Sequence, residues 1–380
     1  MNKLKPLIKW TGGKTQELSI IHSFLPTTFN NFYEPFLGGG AVWLSLYNKP
    51  HHFFVNDFSY ELISFYKLIQ LNNSSFYKII EKFNTQWEEI NKYLYDKNQI
   101  SNIYELYLEY KNNNNIDIQL ILNKLISLEN NLYIFDSIDN LLPFYLKYIS
   151  DKLKRIYKNE IKKGSMTKSE IFKNIETGFK SALYMFIRSE YNIYRKKFIN
   201  KDNISNQEHI YWISLYFILR NYSYSGMFRY NKNNEFNVPY GGISYNSKNL
   251  KGKLDYFKSN EIYQHFSKTS FYNLDFEEFL EQENISPKSD DFIFLDPPYD
   301  SEFSSYEGNL FEKKEQERLA YYLIFKCKAK WMMVIKYTDF IFDLYNNKEN
   351  INIISFDKKY QVSFMGRNNQ EVSHILIKNY

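Results

Sequence analysis

The stretch Asn31-Phe32-Tyr33-Glu34-Pro35-Phe36-Leu37-Gly38-Gly39-Gly40, followed by Ala41-Val42-Trp43-Leu44-Ser45-Leu46-Tyr47, decides the fold class. Asn31–Phe36 reads as a strand, Gly38-Gly39-Gly40 closes it, and Ala41–Tyr47 reads as a helix. Glycines at such a turn let a ligand approach the backbone closely, at the carboxyl edge of a parallel sheet. His52–Val55 reads as the next strand and ends at Asn56-Asp57. Asp57 falls 19 residues after Gly38, where an open α/β sheet places an acid to hold ribose hydroxyls. A glycine turn alone is weak evidence, since nicotinamide and nucleotide sites share it. Paired with Asp57, it favours a nucleoside-containing ligand over a purely structural turn.

Outward from this core the chain changes character. From Tyr60 to about Leu219 apolar residues recur at three- and four-residue spacing, as in Leu62, Phe65, Tyr66 and Ile69, which predicts helices. Asn112–Asn115 reads as a polar loop among them, and Lys162-Lys163-Gly164-Ser165 as a break before a helix from about Lys168. Strand signals return at Phe271–Leu274, Phe292–Leu295, Trp331–Ile335, Ile351–Ser355 and His374–Ile377. Strands at both chain ends predict one α/β domain, residues 1–60 and 262–380, interrupted by a mainly helical domain over 61–261.

Composition bounds the function. The length of 380 residues suits two or three domains of roughly 150 residues each. A single cysteine, Cys327, excludes a disulfide framework and a cysteine-based zinc site, and fits a reducing cytosol. No apolar stretch follows Lys3, Lys5 and Lys9, so the N-terminus does not read as a signal peptide. Apolar runs such as Tyr211–Leu219 fall short of the ~20 residues that span a bilayer. A cytoplasmic protein outside any membrane is expected. Between Phe144 and Lys201 there are 15 Lys and Arg against 5 Asp and Glu, a net of +10 in a chain whose total is +5. Such a block points to a localised polyanion contact, and solvated helix faces are the competing reading. Aromatic residues, at 19%, would serve stacking on bases, though a biased genome composition accounts for them equally well.

A second motif, Asp296-Pro297-Pro298-Tyr299, directly follows the apolar strand Phe292-Ile293-Phe294-Leu295. Two prolines remove N–H donors and fix φ, so the strand must stop and its last carbonyls are left pointing outward. Asp296 adds a carboxylate acceptor and Tyr299 a flat π face. The combination suits an exocyclic amine, which has two N–H groups to donate and a ring to be stacked. A strand-terminating turn with a helix-entry proline is the competing reading.

The ordered set of these motifs resembles the DNA adenine methylase (Dam-type) group of N6-adenine DNA methyltransferases. Lys9-Trp10-Thr11-Gly12-Gly13-Lys14 looks like that family's N-terminal motif, and the Phe36–Gly40 turn, Asp57, Asp275-Phe276 and Asp296–Tyr299 follow in the family's order. Asn221, Gly226–Asn231 and Glu235–Gly241 resemble its DNA-reading hairpin, and Gly366-Arg367 with Glu371-Val372 its final hairpin. The resemblance covers about residues 1–60 and 210–380. It implies a Rossmann-like methyltransferase sheet with an inserted, mainly helical target-recognition domain, S-adenosylmethionine as cofactor and no metal. By resemblance, Trp10, Lys14, Glu34, Asp57 and Asp296 line the cofactor site, with backbone at Phe36, Gly38 and Gly40. Asp57 takes the ribose hydroxyls, Asp275 the cofactor's adenine amine, and Phe276 lies against its ring. Phe36 and Phe276 as core aromatics, Asp275 as a helix N-cap and Lys14 as an ordinary lysine are the competing structural readings.

The reaction this implies needs little acid–base equipment. Asp296 and the Pro297 carbonyl would accept from the N6 amine, Pro298 completes the turn, and Tyr299 would stack on a base flipped out of the duplex. Ser304-Ser305-Tyr306 reads as a lid or a spacer. Within Tyr222–Gly242, Asn233-Asn234 is turn chemistry between two short strands, although the family usually has Gly where Asn234 stands. Arg229 suits a bidentate contact with guanine and Asn231 a contact with adenine; Asn237 and Lys9 complete the expected DNA-binding set. A phosphate or an acidic neighbour is the competing partner for Arg229. Expected partners are double-stranded DNA and a cognate restriction endonuclease acting separately, with a monomer or weak dimer. Methylation of another amine (cytosine N4 or RNA) stays open, as does a bifunctional methylase-nuclease built on Glu160-Ile161-Lys162 with Asp151 upstream.

Overall fold

The computed structural model describes residues 4–47, 49–95, 104, 105, 107–112, 138–299, 311–359 and 371–380. Asn113–Asn115, Ser304-Ser305-Tyr306 and Gly366-Arg367 lie outside this set, as do the side chains of Glu371 and Val372. The chain divides into two compact units, one of residues 1–71 with 257–380 and one of residues 72–256.

The first unit is built on a seven-stranded sheet. Its strands are β1 (Phe32–Glu34), β2 (Phe53–Asn56), β3 (Thr269–Tyr272), β4 (Phe292–Leu295), β5 (Lys330–Lys336), β6 (Asn352–Lys359) and β7 (Glu371–Lys378), in the spatial order β3-β2-β1-β4-β5-β7-β6. β3, β2, β1, β4 and β5 pair in parallel, while β7 runs antiparallel to both β5 and β6. Every residue of β4 is buried, as are residues 331–335 of β5. Such continuous apolar runs are what parallel strands covered on both faces require. The register sets Phe53, Phe32 and Phe292 side by side, with neighbouring ring centroids 6.0 Å apart. One sheet face packs Ile293, Leu295, Trp331, Met333, Ile335, Ile375 and Ile377 against Phe276, Phe279, Leu319 and Tyr345. On the other, Tyr66 of helix Tyr60–Gln70 stacks on Phe271 of β3 with centroids 5.6 Å apart and planes 8° off parallel. That contact ties the helix after Asp57 to the sheet.

The order of the strands matters for function. The chain crosses from β1 outward through β2 and β3, then returns to the far side of β1 as β4. The carboxyl ends of β1 and β4 therefore flank a topological switch point, the place where open α/β sheets bind ligands.

The second unit is helical: Ser74–Leu94, Ile138–Lys163, Lys168–Ile199 and Asn206–Tyr222. Thr167 and Ser205 start the last two with complete capping boxes to Glu170 and Glu208. The basic block lies on the middle two of these helices. Residues 223–242 form a loop with isolated bridges at Ser223–Tyr240 and Tyr230–Phe236, in place of the two short strands expected. Asn234 takes a φ of 59°, a left-handed conformation that Asn tolerates better than other side chains, so the turn forms without the family's usual Gly. Among the described residues no helix is long and apolar enough to cross a membrane, and no three His, Cys, Asp or Glu side chains form a metal-binding group.

Candidate functional site

The turn after β1 is shaped by Asn56 and Asp57 at the end of β2. Asn56 donates from Nδ2 to the Pro35 and Leu274 carbonyls, each at 3.0 Å, and its Oδ1 accepts from the Leu274 N–H at 2.9 Å. One amide thereby staples the chain leaving β1 and the chain leaving β3 to the end of β2. Asp57 accepts from the Gly38 N–H at 2.8 Å and from the Ser59 N–H at 2.9 Å. Gly38 sits at φ 49° with the Trp10 indole laid on it: a Cβ there would stand 2.8 Å from Trp10 Cδ1 and Nε1. Gly40, at φ 65°, starts the helix Ala41–Ser45. Glu34, buried at the end of β1, accepts from the Trp43 N–H of that helix at 3.0 Å. Burial drives the Glu34 carboxyl well above the ordinary glutamate value, and the nearby Asp296 and Asp57 push the same way against the Trp43 hydrogen bond and Lys14.

Asp296 leaves β4 beside this turn. Its carboxylate is ion-paired with Lys14, which is 2% exposed although it carries a charge. Lys14 Nζ also donates to the Gly12 carbonyl and to the Tyr299 hydroxyl, both at 3.1 Å. The Tyr299 hydroxyl in turn stands 3.3 Å from Nε2 of His374, a fully buried residue of β7. Gln316, also buried, donates to the Pro298 carbonyl at 2.9 Å, while its own Oε1 has no partner among the described residues. The structure thus brings Trp10, Lys14, Glu34, Gly38, Gly40, Asp57, Asp296 and Tyr299 together at the switch point, with Lys14 as the cation among three carboxyl groups.

Asp275 and Phe276 lie one strand end further along. Asp275 Oδ1 caps the helix Phe276–Glu281 by accepting from the Glu277 N–H at 2.9 Å, and Oδ2 is ion-paired with Arg318. The Arg318 guanidinium lies 4.4 Å from the centroid of the Phe276 ring. Phe276 is 3% exposed and packs with Phe36 and Phe311 at centroid distances of 5.7 and 5.9 Å. Asp275 thus caps that helix, and Phe276 packs among these aromatic rings. Lys9 is exposed.

The chain matches the D12 class of N6 adenine-specific DNA methyltransferases over residues 10–148 and 124–362, which together span most of its length. It belongs to that class. Two relatives align with it nearly end to end. The type II methyltransferase M.CviBI of Paramecium bursaria Chlorella virus NC1A is 25% identical over 381 residues, 99% of this chain and 100% of the relative. The type II methyltransferase M.MjaIII of Methanocaldococcus jannaschii is 27% identical over 397 residues, 100% of both. The Retron Ec67 DNA adenine methylase of Escherichia coli is 32% identical over 163 residues, 41% of this chain and 51% of that relative. A seven-stranded, mostly parallel mixed α/β sheet fits a methyltransferase fold.

In the second unit of this D12-class methyltransferase, Arg229 is exposed and its side chain engages no partner among the described residues. Asn231 is committed to its own turn: Oδ1 accepts from the N–H groups of Asn233 and Glu235, at 2.9 and 3.0 Å, and Nδ2 donates to Glu235 at 3.2 Å. The Asn237 side chain is exposed. Glu160 sits within the helix Ile138–Lys163 and accepts from Tyr107, Lys111 and the Met166 N–H. Burial alone would raise its carboxyl, but these hydrogen bonds together hold it below the ordinary glutamate value. It packs within its helical surroundings, and among the described residues it belongs to no group of three His, Cys, Asp or Glu side chains that could hold a metal ion.

Asn56, His374, Gln316 and Arg318 were not anticipated. Asn56 could have been found, since it adjoins Asp57 at a strand end. The other three reach the site from distant segments that only the sheet order brings near.

Proposed function

We propose that the chain methylates adenine N6 at a specific site in double-stranded DNA, with S-adenosylmethionine as donor and as the modification partner of a separate restriction endonuclease. The observation that carries the proposal is Asp296, which leaves β4 at the switch point with a buried lysine holding its carboxylate. The donor set suits the cofactor. Asp57 and Asp296 flank a glycine turn whose Gly38 has no room for a side chain, and two carboxylates beside an open backbone suit a cationic ligand that bears ribose hydroxyls. Asp57 and the backbone at Phe36, Gly38 and Gly40 would hold it, with Trp10 and Lys14 closing one side and Asp275 and Phe276 the other. Bound there, S-adenosylmethionine supplies an electrophilic methyl group on positively charged sulfur.

The chain's own residues then orient the nucleophile. The N6 lone pair of adenine is delocalised into its ring. Accepting its two N–H bonds, at the Asp296 carboxylate and the Pro297 carbonyl, localises that pair toward the methyl group. Tyr299 offers a ring face for the base, and Lys14 and His374 grip its hydroxyl from two directions. Positioning of this kind is the main source of rate for a direct transfer. N6 within a stacked duplex is out of reach, so the target base is flipped into the site.

Residues 72–256 serve as the target-recognition domain, with Arg229 free to contact guanine, Asn237 beside it, Asn231 bracing the turn and Lys9 available for phosphate. The names of the two full-length relatives, both type II methyltransferases, support the restriction–modification setting. A cytoplasmic, monomeric or weakly dimeric enzyme completes the proposal. Asp296→Ala tests it with methyl-labelled S-adenosylmethionine and DNA. The variant is expected to fold and to transfer no label; normal turnover would remove Asp296 from the reaction.

A further inference from the structure

Residues 223–242 are connected across the loop by two isolated bridges, at Ser223–Tyr240 and Tyr230–Phe236. So short a ladder does not hold two strands in register by itself. Support comes from one face of the helix Lys168–Ile199, where Tyr184, Arg188, Asn192 and Arg195 are spaced by four, four and three residues. The Tyr184 hydroxyl donates to the Val238 carbonyl at 3.0 Å, and Arg188 to the Asn237 carbonyl at 3.2 Å. Asn192 accepts from the Phe236 N–H at 2.9 Å and donates to the Phe236 carbonyl at 3.1 Å. Arg195 donates from Nε to the Asn234 carbonyl at 3.1 Å and lays its guanidinium 3.6 Å from the centroid of the Tyr230 ring. Each turn of helix therefore grips the loop backbone one or two residues earlier, and Asn192 makes the paired donor and acceptor contacts that a neighbouring strand would make. On the other side of the loop the Arg229 carbonyl accepts from the Asn237 N–H at 3.4 Å, a long bond, while the Tyr230 hydroxyl meets that of Tyr191, on the same helix, at 2.8 Å and the buried Phe228 stacks on Phe236.

We propose that this helix face, centred on Asn192, is the positioning element for target readout. It substitutes for the missing strand and fixes where the Arg229 guanidinium stands, so residues that touch no base set how strictly the target is chosen. The proposal rests on the reading of residues 223–242 as the DNA-reading segment. A bidentate contact with a base discriminates only while its geometry is held, and a loop released by about an ångström forfeits that discrimination. It also gives the long helix a role beyond lengthening the domain: four of its side chains act as a template for the loop.

The test compares wild type, Arg229→Ala, Asn192→Ala and the Arg229→Ala/Asn192→Ala double variant on unmethylated genomic DNA, read by single-molecule sequencing. The readout is the ratio of methylation rates at the wild-type motif and at sites with one mismatch. Thermal melting and binding of S-adenosylmethionine serve as controls for folding. Arg195→Ala, which removes a hydrogen bond and the cation–π contact with Tyr230 at the far end of the face, is a second probe. Asn192→Ala is expected to lower discrimination about tenfold, in the range of one good bidentate base contact, with cofactor binding unchanged. The double variant is expected to discriminate no worse than Arg229→Ala, because Asn192 acts through Arg229. Relaxed choice in Arg229→Ala with full discrimination in Asn192→Ala and Arg195→Ala overturns the positioning role alone. Additive losses in the double variant overturn it as well. Unchanged discrimination in Arg229→Ala instead overturns the reading of the loop itself.

Discussion

Replacing Lys14 by Met separates what its ion pair with Asp296 does for stability from what it does for activity. Removing one partner of a fully buried pair costs about 3–5 kcal/mol, because the remaining charge stays in place without compensation. Lys14 is 2% exposed but Asp296 20%, so water recovers part of that cost and about 2–3 kcal/mol remains. The Gly12 carbonyl and the Tyr299 hydroxyl also lose a donor, and the hydroxyl keeps His374. An orphaned acceptor adds about 1 kcal/mol, for a sum of roughly 3–4 kcal/mol. In a unit of this size each kcal/mol lowers the melting temperature by about 2–4 °C, so a fall of roughly 6–16 °C is expected by calorimetry. Lys14→Met/Asp296→Leu removes both charges, and an apolar pair in that place is close to neutral. The double variant is therefore expected to regain most of the lost stability. Both proteins are expected to lack methyl transfer, since Asp296 is either unsupported or absent. A Lys14→Met protein that melts with wild type, or a double variant as unstable as the single, would refute the ion pair as the element that holds the site together.

Two further substitutions probe the turn after β1. Gly38→Ala forces a Cβ to within 2.8 Å of the Trp10 indole at a φ of 49°; about 1–2 kcal/mol of backbone strain precedes any movement of the ring. Calorimetric titration is expected to give at least tenfold weaker binding of S-adenosylmethionine, and unchanged affinity would place the cofactor away from this turn. Glu34→Gln addresses pH. The Glu34 carboxyl is raised by burial in the folded chain, so the fold holds a proton that the unfolded chain gives up above about pH 4.5. Its contribution is therefore fully present below that pH and is lost as pH rises toward the folded value, at up to about 1.4 kcal/mol per pH unit. Glu34→Gln keeps an acceptor for the Trp43 N–H and has no proton to lose, so denaturant midpoints of the two proteins should diverge with rising pH in favour of the variant. Parallel curves would show that Glu34 is ionised in the fold.

Strands β1 and β4 were legible because they are short, apolar and closed by proline. The β4 bounds fall where Phe292-Ile293-Phe294-Leu295 and Asp296-Pro297 put them, since two prolines permit no continuation. The glycine turn and Asp57 were legible for the same local reason. What sequence could not show is a competition between partners. At Asp275 the helix start was visible in the sequence, but Arg318 as the partner of its second oxygen was not. Asn231 resembles a base reader by position, and the Asn233 and Glu235 N–H groups claim its carbonyl oxygen. Residues 223–242 alternate as a hairpin would, but Asn192 and its neighbours on a helix some forty residues upstream satisfy the backbone instead. His374 and Gln316 enter the site through long-range packing that no local pattern encodes.

The most direct measurement is single-molecule sequencing of unmethylated genomic DNA after incubation with the purified protein and S-adenosylmethionine. N6-methyladenine confined to one short motif is the predicted result, and it identifies the target at the same time. N4-methylcytosine, or unmodified DNA under conditions where S-adenosylmethionine binding is demonstrated, would contradict the assignment of Asp296, Pro297 and Tyr299 to a flipped adenine.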